Sequence, residues 1–183
     1  MARYRYLDKA DLAAKDQDLL ARDIALNRIL AHSPGAARAF QGLGGYIRHR
    51  STLDGRLREL AILQVGYLAR SPYEWSHHVK IGMEFGVSEA DIAALIDETE
   101  GRGSSLEPLA KTVLRGAREM TGDLAMSDST FGELRRHLSE AHLLDLVLTI
   151  GFYCAVVRVL ATMQVDVEPE YQKYLEQFPL PNH

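Results

Sequence analysis

A mostly apolar, uncharged run from Leu60 to Leu68, entered through Glu59 and closed by Arg70-Ser71-Pro72, constrains this chain more than any other stretch. An acid at the edge of such a run is either capped and exposed or buried for a reason. Proline disfavours the α conformation of the residue before it and suits a first helical turn, so one helix ends near Arg70 and another begins near Tyr73. Glu74 and His78 then stand one turn apart on the same helix face, where a carboxylate and an imidazole can share a proton. His77 points roughly 100° away around the helix. Glu59, Glu74, His77 and His78 form the chain's one dense grouping of titratable side chains inside an apolar helical pattern.

The remaining sequence also reads as helix. Leu12, Leu19, Leu20, Ile24, Leu26, Ile29 and Leu30 recur at helical intervals and predict a helix over 8–32. Ser33 and Pro34 suit the cap and first turn of the next helix, which runs from Ala36 to about His49. Its small residues predict tight packing or a pocket wall. Asp54 is the expected cap of the Glu59 helix, and Gly86 the left-handed stop of the His78 helix. Ser88 to Asp91 resembles a capping box. Further helices are expected over 106–120, from Ser127 or Asp128 to Leu138, and from Ser139 or Glu140 to about Val165. The tail after Pro169 suits one amphipathic turn. No stretch shows the alternation of a strand. The expectation is an all-α helical bundle, one domain over 1–183 with its core in 36–165. LRELAILQVGY at Leu57 to Tyr67 is echoed by LLDLVLTIGFY at Leu143 to Tyr153, which suggests either two similar helical units or a coincidence between buried helices.

Composition removes several classes of function. The 183 residues are 46% hydrophobic and 25% charged, with a net charge of -4, so nucleic acid is not an expected partner. Arg48-His49-Arg50 is too short a basic cluster to change that. Leu143 to Val165 approaches membrane-spanning length, but Asp145 and Arg158 interrupt it and it reads as a core helix; no membrane association is expected. The N-terminus lacks the apolar core of a signal peptide, and the cytoplasm is the default location. The single cysteine, Cys154, has no internal disulfide partner and reads as a small buried hydrophobe.

REL-A-I-L followed by SPYEWSHHVKIGMEFGVS resembles the carboxymuconolactone decarboxylase and alkylhydroperoxidase D superfamily. The distal LLDLVLTIGFYCAVVRVLATMQVDVEPEY resembles its decarboxylase-like branch. The resemblance implies an all-helical fold with a repeated unit and a homo-oligomer, a trimer or hexamer, with a dimer also open. In the peroxidase branch a Cys-x-x-Cys pair is followed four residues later by histidine, with a glutamate on the preceding helix. Laid on this chain, that glutamate falls at Glu59 and the histidine at His78, while the cysteines fall at Ser71 and Glu74. Neither a serine hydroxyl nor a carboxylate can cycle through sulfenic acid and disulfide, so thiol-based peroxide reduction is excluded at this site.

Proton transfer remains. Histidine titrates near neutrality and a neighbouring carboxylate stabilises its charged form. Glu59, Glu74 and His78 are the candidate catalytic residues, acting without metal or organic cofactor on a small carboxylated or lactone substrate. Ser71, Tyr73, Trp75 and His77 are the candidate substrate contacts. Each has a plainer role open to it. Glu74 suits a helix N-terminus, His78 a satisfied core or interface position, and Tyr73 and Trp75 suit core packing. Metal binding by Glu74, His77 and His78 lacks a well-spaced third ligand. Two functions stay open: a cofactor-free enzyme, or a helical oligomer that binds or scaffolds without turnover.

Overall fold

The computed structural model describes residues 1–181, and Asn182 and His183, the last two of the expected tail, lie outside the described residues. Nine α-helices follow one another: α1 (Ala25–Leu30), α2 (Pro34–His49), α3 (Gly55–Leu68), α4 (Pro72–Glu84), α5 (Glu89–Thr99), α6 (Pro108–Gly122), α7 (Asp128–His137), α8 (Glu140–Met163) and α9 (Gln172–Gln177). No strand occurs among the described residues, so the fold is all-α.

Helix α3 lies at the centre. Every residue from Leu57 to Tyr67 is buried, and Leu60, Ala61, Ile62, Leu63 and Val65 are wholly enclosed. A helix apolar on all sides must be covered on all sides, and α4, α6 and α8 pack around it, with α5 completing the contact. Each enclosed leucine or isoleucine contributes about 1.5–3 kcal/mol relative to exposure. Asp54 caps α3, accepting from Leu57 N at 2.9 Å. At its other end Arg70 takes φ +47° and Ser71 is extended, as a residue before proline should be. Ser71 Oγ caps α4 through Glu74 N. At Gly66 α3 lies directly against α4, and a Cβ there would sit at contact distance, 3.4 Å, from the backbone nitrogen of Trp75.

Most of the predicted boundaries hold. Gly86 stops α4 at φ +93°, and Ser88 and Asp91 form the reciprocal capping box. Ser127 and Ser139 cap α7 and α8. Ser33 occupies the cap position of α2 but its side chain bonds no backbone amide. The echoed helices α3 and α8 pack together, and the matching acids Glu59 and Asp145 are both buried. Asp145 accepts from Ser51 Oγ at 2.6 Å and from Tyr46 Oη at 3.0 Å.

The helix expected over 8–32 does not form. The segment has two 3-10 turns, at Lys9–Asp11 and Ala14–Leu20, before the short α1. Its acids are held by partners that a straight helix would separate. Asp11 receives Asp8 N and a two-pronged bond from Arg5, Asp16 and Asp18 bind Arg38 of α2, and Arg28 binds Asp8 and the Leu7 carbonyl. Aspartates that bond locally compete with the helix ladder. The segment becomes a strap over α2, with Leu7, Leu20 and Ala31 in a small core of their own.

The C-terminal segment returns across α4. Trp75, fully buried, donates Nε1–H to the Phe178 carbonyl at 2.7 Å and lies against Tyr67. Trp75→Phe keeps most of the apolar volume but removes the donor, leaving a buried carbonyl without its partner. The expected loss is about 1–3 kcal/mol in chemical denaturation; unchanged stability would show that the tail is not anchored there.

Candidate active site

The antiparallel pairing of α3 and α4 brings Glu59 against His78. Nδ1 of His78 lies 2.7 Å from Glu59 Oε2. The other oxygen of Glu59 accepts two bonds from the Arg58 guanidinium, at 3.0 and 3.1 Å. On its far side, Nε2 of His78 is 3.0 Å from Glu74 Oε1. That oxygen sits off the axis of an aligned hydrogen bond and has no other partner. The four side chains form a line of alternating charge, Arg58–Glu59–His78–Glu74, and none is more than 4% exposed. Arg58 also lies over the Phe85 ring, 4.3 Å from its centre. The Tyr153 ring from α8 stands edge-on to His78 at 4.9 Å.

His77, the next residue, faces a different group. Its ring is stacked between Tyr73 at 4.1 Å and Tyr171 at 3.6 Å. Nε2 meets Glu168 Oε2 at 2.8 Å. Glu168 also accepts from Ala25 N at 2.7 Å and from the Tyr73 hydroxyl at 3.2 Å. The residues after α8 thus clamp α4 from outside.

A cavity of about 280 Å³ opens beside these groups. Glu74, His77, His78, Tyr73 and Tyr153 line it, with Arg48, Gly44 and Gly45 of α2 and Phe152 of α8 completing the wall. The small-residue helix is the wall its composition suggested. Glu59 stands behind His78 and does not reach the cavity. Ser71 and Trp75, expected as substrate contacts, are not in its lining: Ser71 is occupied as the α4 cap and Trp75 as the anchor of the tail. Among the described residues no group of three or more histidine, cysteine, aspartate or glutamate side chains is placed to hold a metal. Cys154, half-buried against Thr121, lies apart from the cavity.

Arg58, Arg48, Tyr153 and Glu168 were not singled out from sequence. Arg58 adjoins Glu59 and could have been noticed there. Arg48 was weighed only as part of a basic cluster. Tyr153 and Glu168 reach the site from a distant part of the chain and carry no local signal.

Burial alone would drive the proton from His78, but the charges of Glu74 and Glu59 outweigh it and raise its pKa above the ordinary 6.5. Burial alone would likewise raise Glu59; the charge and hydrogen bond of His78, with Arg58, lower it below the ordinary 4.5. In His77 burial prevails over the Glu168 contact and the pKa falls, favouring the neutral ring. Burial and the nearby Glu74 push the Tyr153 hydroxyl up, so it stays protonated. The stabilisation from His78 is complete below 6.5 and is lost as pH rises through its raised value. That from Glu59 is present above 4.5 and is lost as pH falls through its lowered value. Melting curves taken from pH 6.5 upward should show the wild type losing stability through an alkaline step that His78→Gln lacks. Parallel curves for the two proteins would refute the raised histidine.

The carboxymuconolactone decarboxylase family model matches residues 34–103, which span α2 to α5 and include Arg48, Glu59, Glu74 and His78. No curated protein matches the chain by sequence. Among solved structures, an alkylhydroperoxidase AhpD core protein from Ralstonia eutropha, an uncharacterised peroxidase-related protein, is similar with a TM-score of 0.77 at 16% identity, over 98% of each chain. The debrominase Bmp8, in a complex with tribromopyrrole, gives 0.79 at 19% identity, over 97% of this chain and 100% of its own. A putative antioxidant defence protein AhpD from Agrobacterium tumefaciens gives 0.68 at 21% identity, over 76% of this chain and 95% of its own. At these identities the likeness is one of fold. Residues 34–103, the helices that carry the site, thus match the carboxymuconolactone decarboxylase family, and the chain as a whole shares the helical fold of alkylhydroperoxidase D-like proteins.

Proposed function

We propose that the protein is a cofactor-free proton-transfer enzyme, a decarboxylase-like lyase acting on a small carboxylated lactone or a related cyclic acid. The observation that carries this reading is the Glu59–His78–Glu74 row, buried along its length and open to a cavity at Glu74 and His78. In loss of carbon dioxide, the bond to the departing carboxylate breaks and its electron pair passes to the ring carbon, stabilised by conjugation with the lactone carbonyl. The His78–Glu74 pair delivers a proton to that carbon, and a proton from solvent recharges the pair. Glu59 does not touch the substrate. It fixes the imidazole through Nδ1 and is itself held ionised by Arg58, so it acts as a positioning residue. The debrominase complex with tribromopyrrole supports a small ring as the kind of ligand this fold admits.

The test is release of carbon dioxide from a carboxylated lactone in deuterium oxide, with deuterium entering the product at the carbon that lost the carboxyl group. His78→Gln should lower turnover by about two to four orders of magnitude with helical content unchanged. Cys154→Ser should leave it unchanged, because the thiol lies outside the site. Full activity in His78→Gln removes the mechanism. Binding of a carboxylated lactone by the wild type without turnover favours the second reading, a binding or scaffolding protein.

The same proposal includes assembly into a homo-oligomer. By length and apolarity α8 could cross a membrane. Its inner face, however, packs on α3, α6 and α2 and carries the bonded Asp145. Leu144 and Leu148 remain exposed on α8, and Leu43 on α2; a second copy covering them would account for the apolar outer face. Sedimentation equilibrium should give a species larger than 20.5 kDa; a monomer at micromolar concentration would overturn the assembly.

A further inference from the structure

Every acid facing the cavity is already paired. Glu74 lies against His78, Asp18 is held by Arg38, and behind them Glu168 binds His77 and Glu59 binds Arg58 and His78. The bases are not matched in the same way. Arg48 and Arg22 line the cavity, and neither has a carboxylate within ion-pair distance among the described residues. Arg48 is half-buried, and its Nε is enclosed without an acceptor. Its guanidinium reaches the Tyr153 hydroxyl, and the Tyr153 ring abuts His78. A guanidinium partly withdrawn from water and without a carboxylate partner is open to an incoming anion, and it presents its donors in a fork that matches a carboxylate.

We propose that Arg48, with Arg22 at the rim, is the receptor for a carboxylate that the substrate keeps through the reaction, and that it sets the ring against His78. This rests on the reading of the substrate as a small carboxylated ring. The carboxylate that leaves is not the one bound: a charge-assisted pair would stabilise that group in the ground state and oppose its loss as neutral carbon dioxide. Tyr153, protonated and between Arg48 and His78, couples the anchoring end of the cavity to the proton-donating end.

Calorimetric titration of the full chain with γ-butyrolactone-γ-acetate, whose acid is carried off the ring, and with its methyl ester tests this without requiring turnover. The wild type should bind the carboxylate about ten- to hundredfold more tightly than the ester, the range expected for one charged hydrogen-bonding partner. Arg48→Gln should erase that preference, Arg48→Lys should restore part of it, and His78→Gln should keep it. A wild type that does not distinguish acid from ester overturns the receptor, as does an Arg48→Gln protein that still does. Should Arg48→Gln fail to fold, the wild-type comparison and the weakened preference of Arg48→Lys decide the question. If acid is preferred through Arg48 but no carboxylated lactone is turned over, the receptor stands and the proton-transfer reading falls. If turnover occurs without that preference, the reverse holds.

Discussion

The site depends on a row of four buried charges that cancel only as a set. Arg58 and a protonated His78 balance Glu59 and Glu74, all of them enclosed in the protein. An isolated ion in that environment would be strongly disfavoured, and removing one partner of a buried pair typically costs about 3–5 kcal/mol. At pH below its raised pKa, the proton on His78 is therefore part of the electrostatic structure. When it leaves, the row carries a net negative charge in a place of low polarisability, and the protein has reason to recover it. In the proton transfer proposed above, that restoring tendency would recharge the donor after each step.

The rest of the fold serves to hold this row still. Helix α3 is enclosed on every side, so Glu59 and Arg58 cannot swing toward water. The Arg70–Ser71–Pro72 turn sends α4 back along α3, and the two meet closely at Gly66. On the other flank, the stacked Tyr73, His77 and Tyr171 rings fix the face of α4 next to His78. The one loosely satisfied atom in the row is Glu74 Oε1, at the cavity end where chemistry would take place.

Much of this was legible in the sequence because it is local. Periodicity, the proline break and the serine and aspartate caps located α3 to α8, and the four-residue spacing placed Glu74 under His78. Glu59 seemed remote, about three turns before the break. Yet α4 runs back along α3, and the stagger between the two helices brings Glu59, nine residues before the end of α3, level with His78, six residues into α4. The misread segment was 8–32, where apolar periodicity outvoted three aspartates, Asp11, Asp16 and Asp18, whose partners Arg5 and Arg38 lie outside it. Trp75 and Ser71 were drawn into the site by proximity to His78 along the chain, although their bonds face the tail and the helix cap. Arg48, Tyr153 and Glu168 arrive from other helices or the returning tail, and nothing in their neighbours' identities reveals where they end.

The return of the C-terminal segment has a bearing on how the protein is made. His77 meets Glu168 across 91 residues of sequence, and Trp75 meets the Phe178 carbonyl across 103. A chain growing from its N-terminus has α3, α4 and the row of charges long before it has either partner. During synthesis the two-histidine face of α4 is therefore open to water, with the indole N–H and the His77 ring still lacking their final contacts. The clamp closes only after residues 168–178 have left the ribosome, so this side of the site is completed well after the helices that carry it.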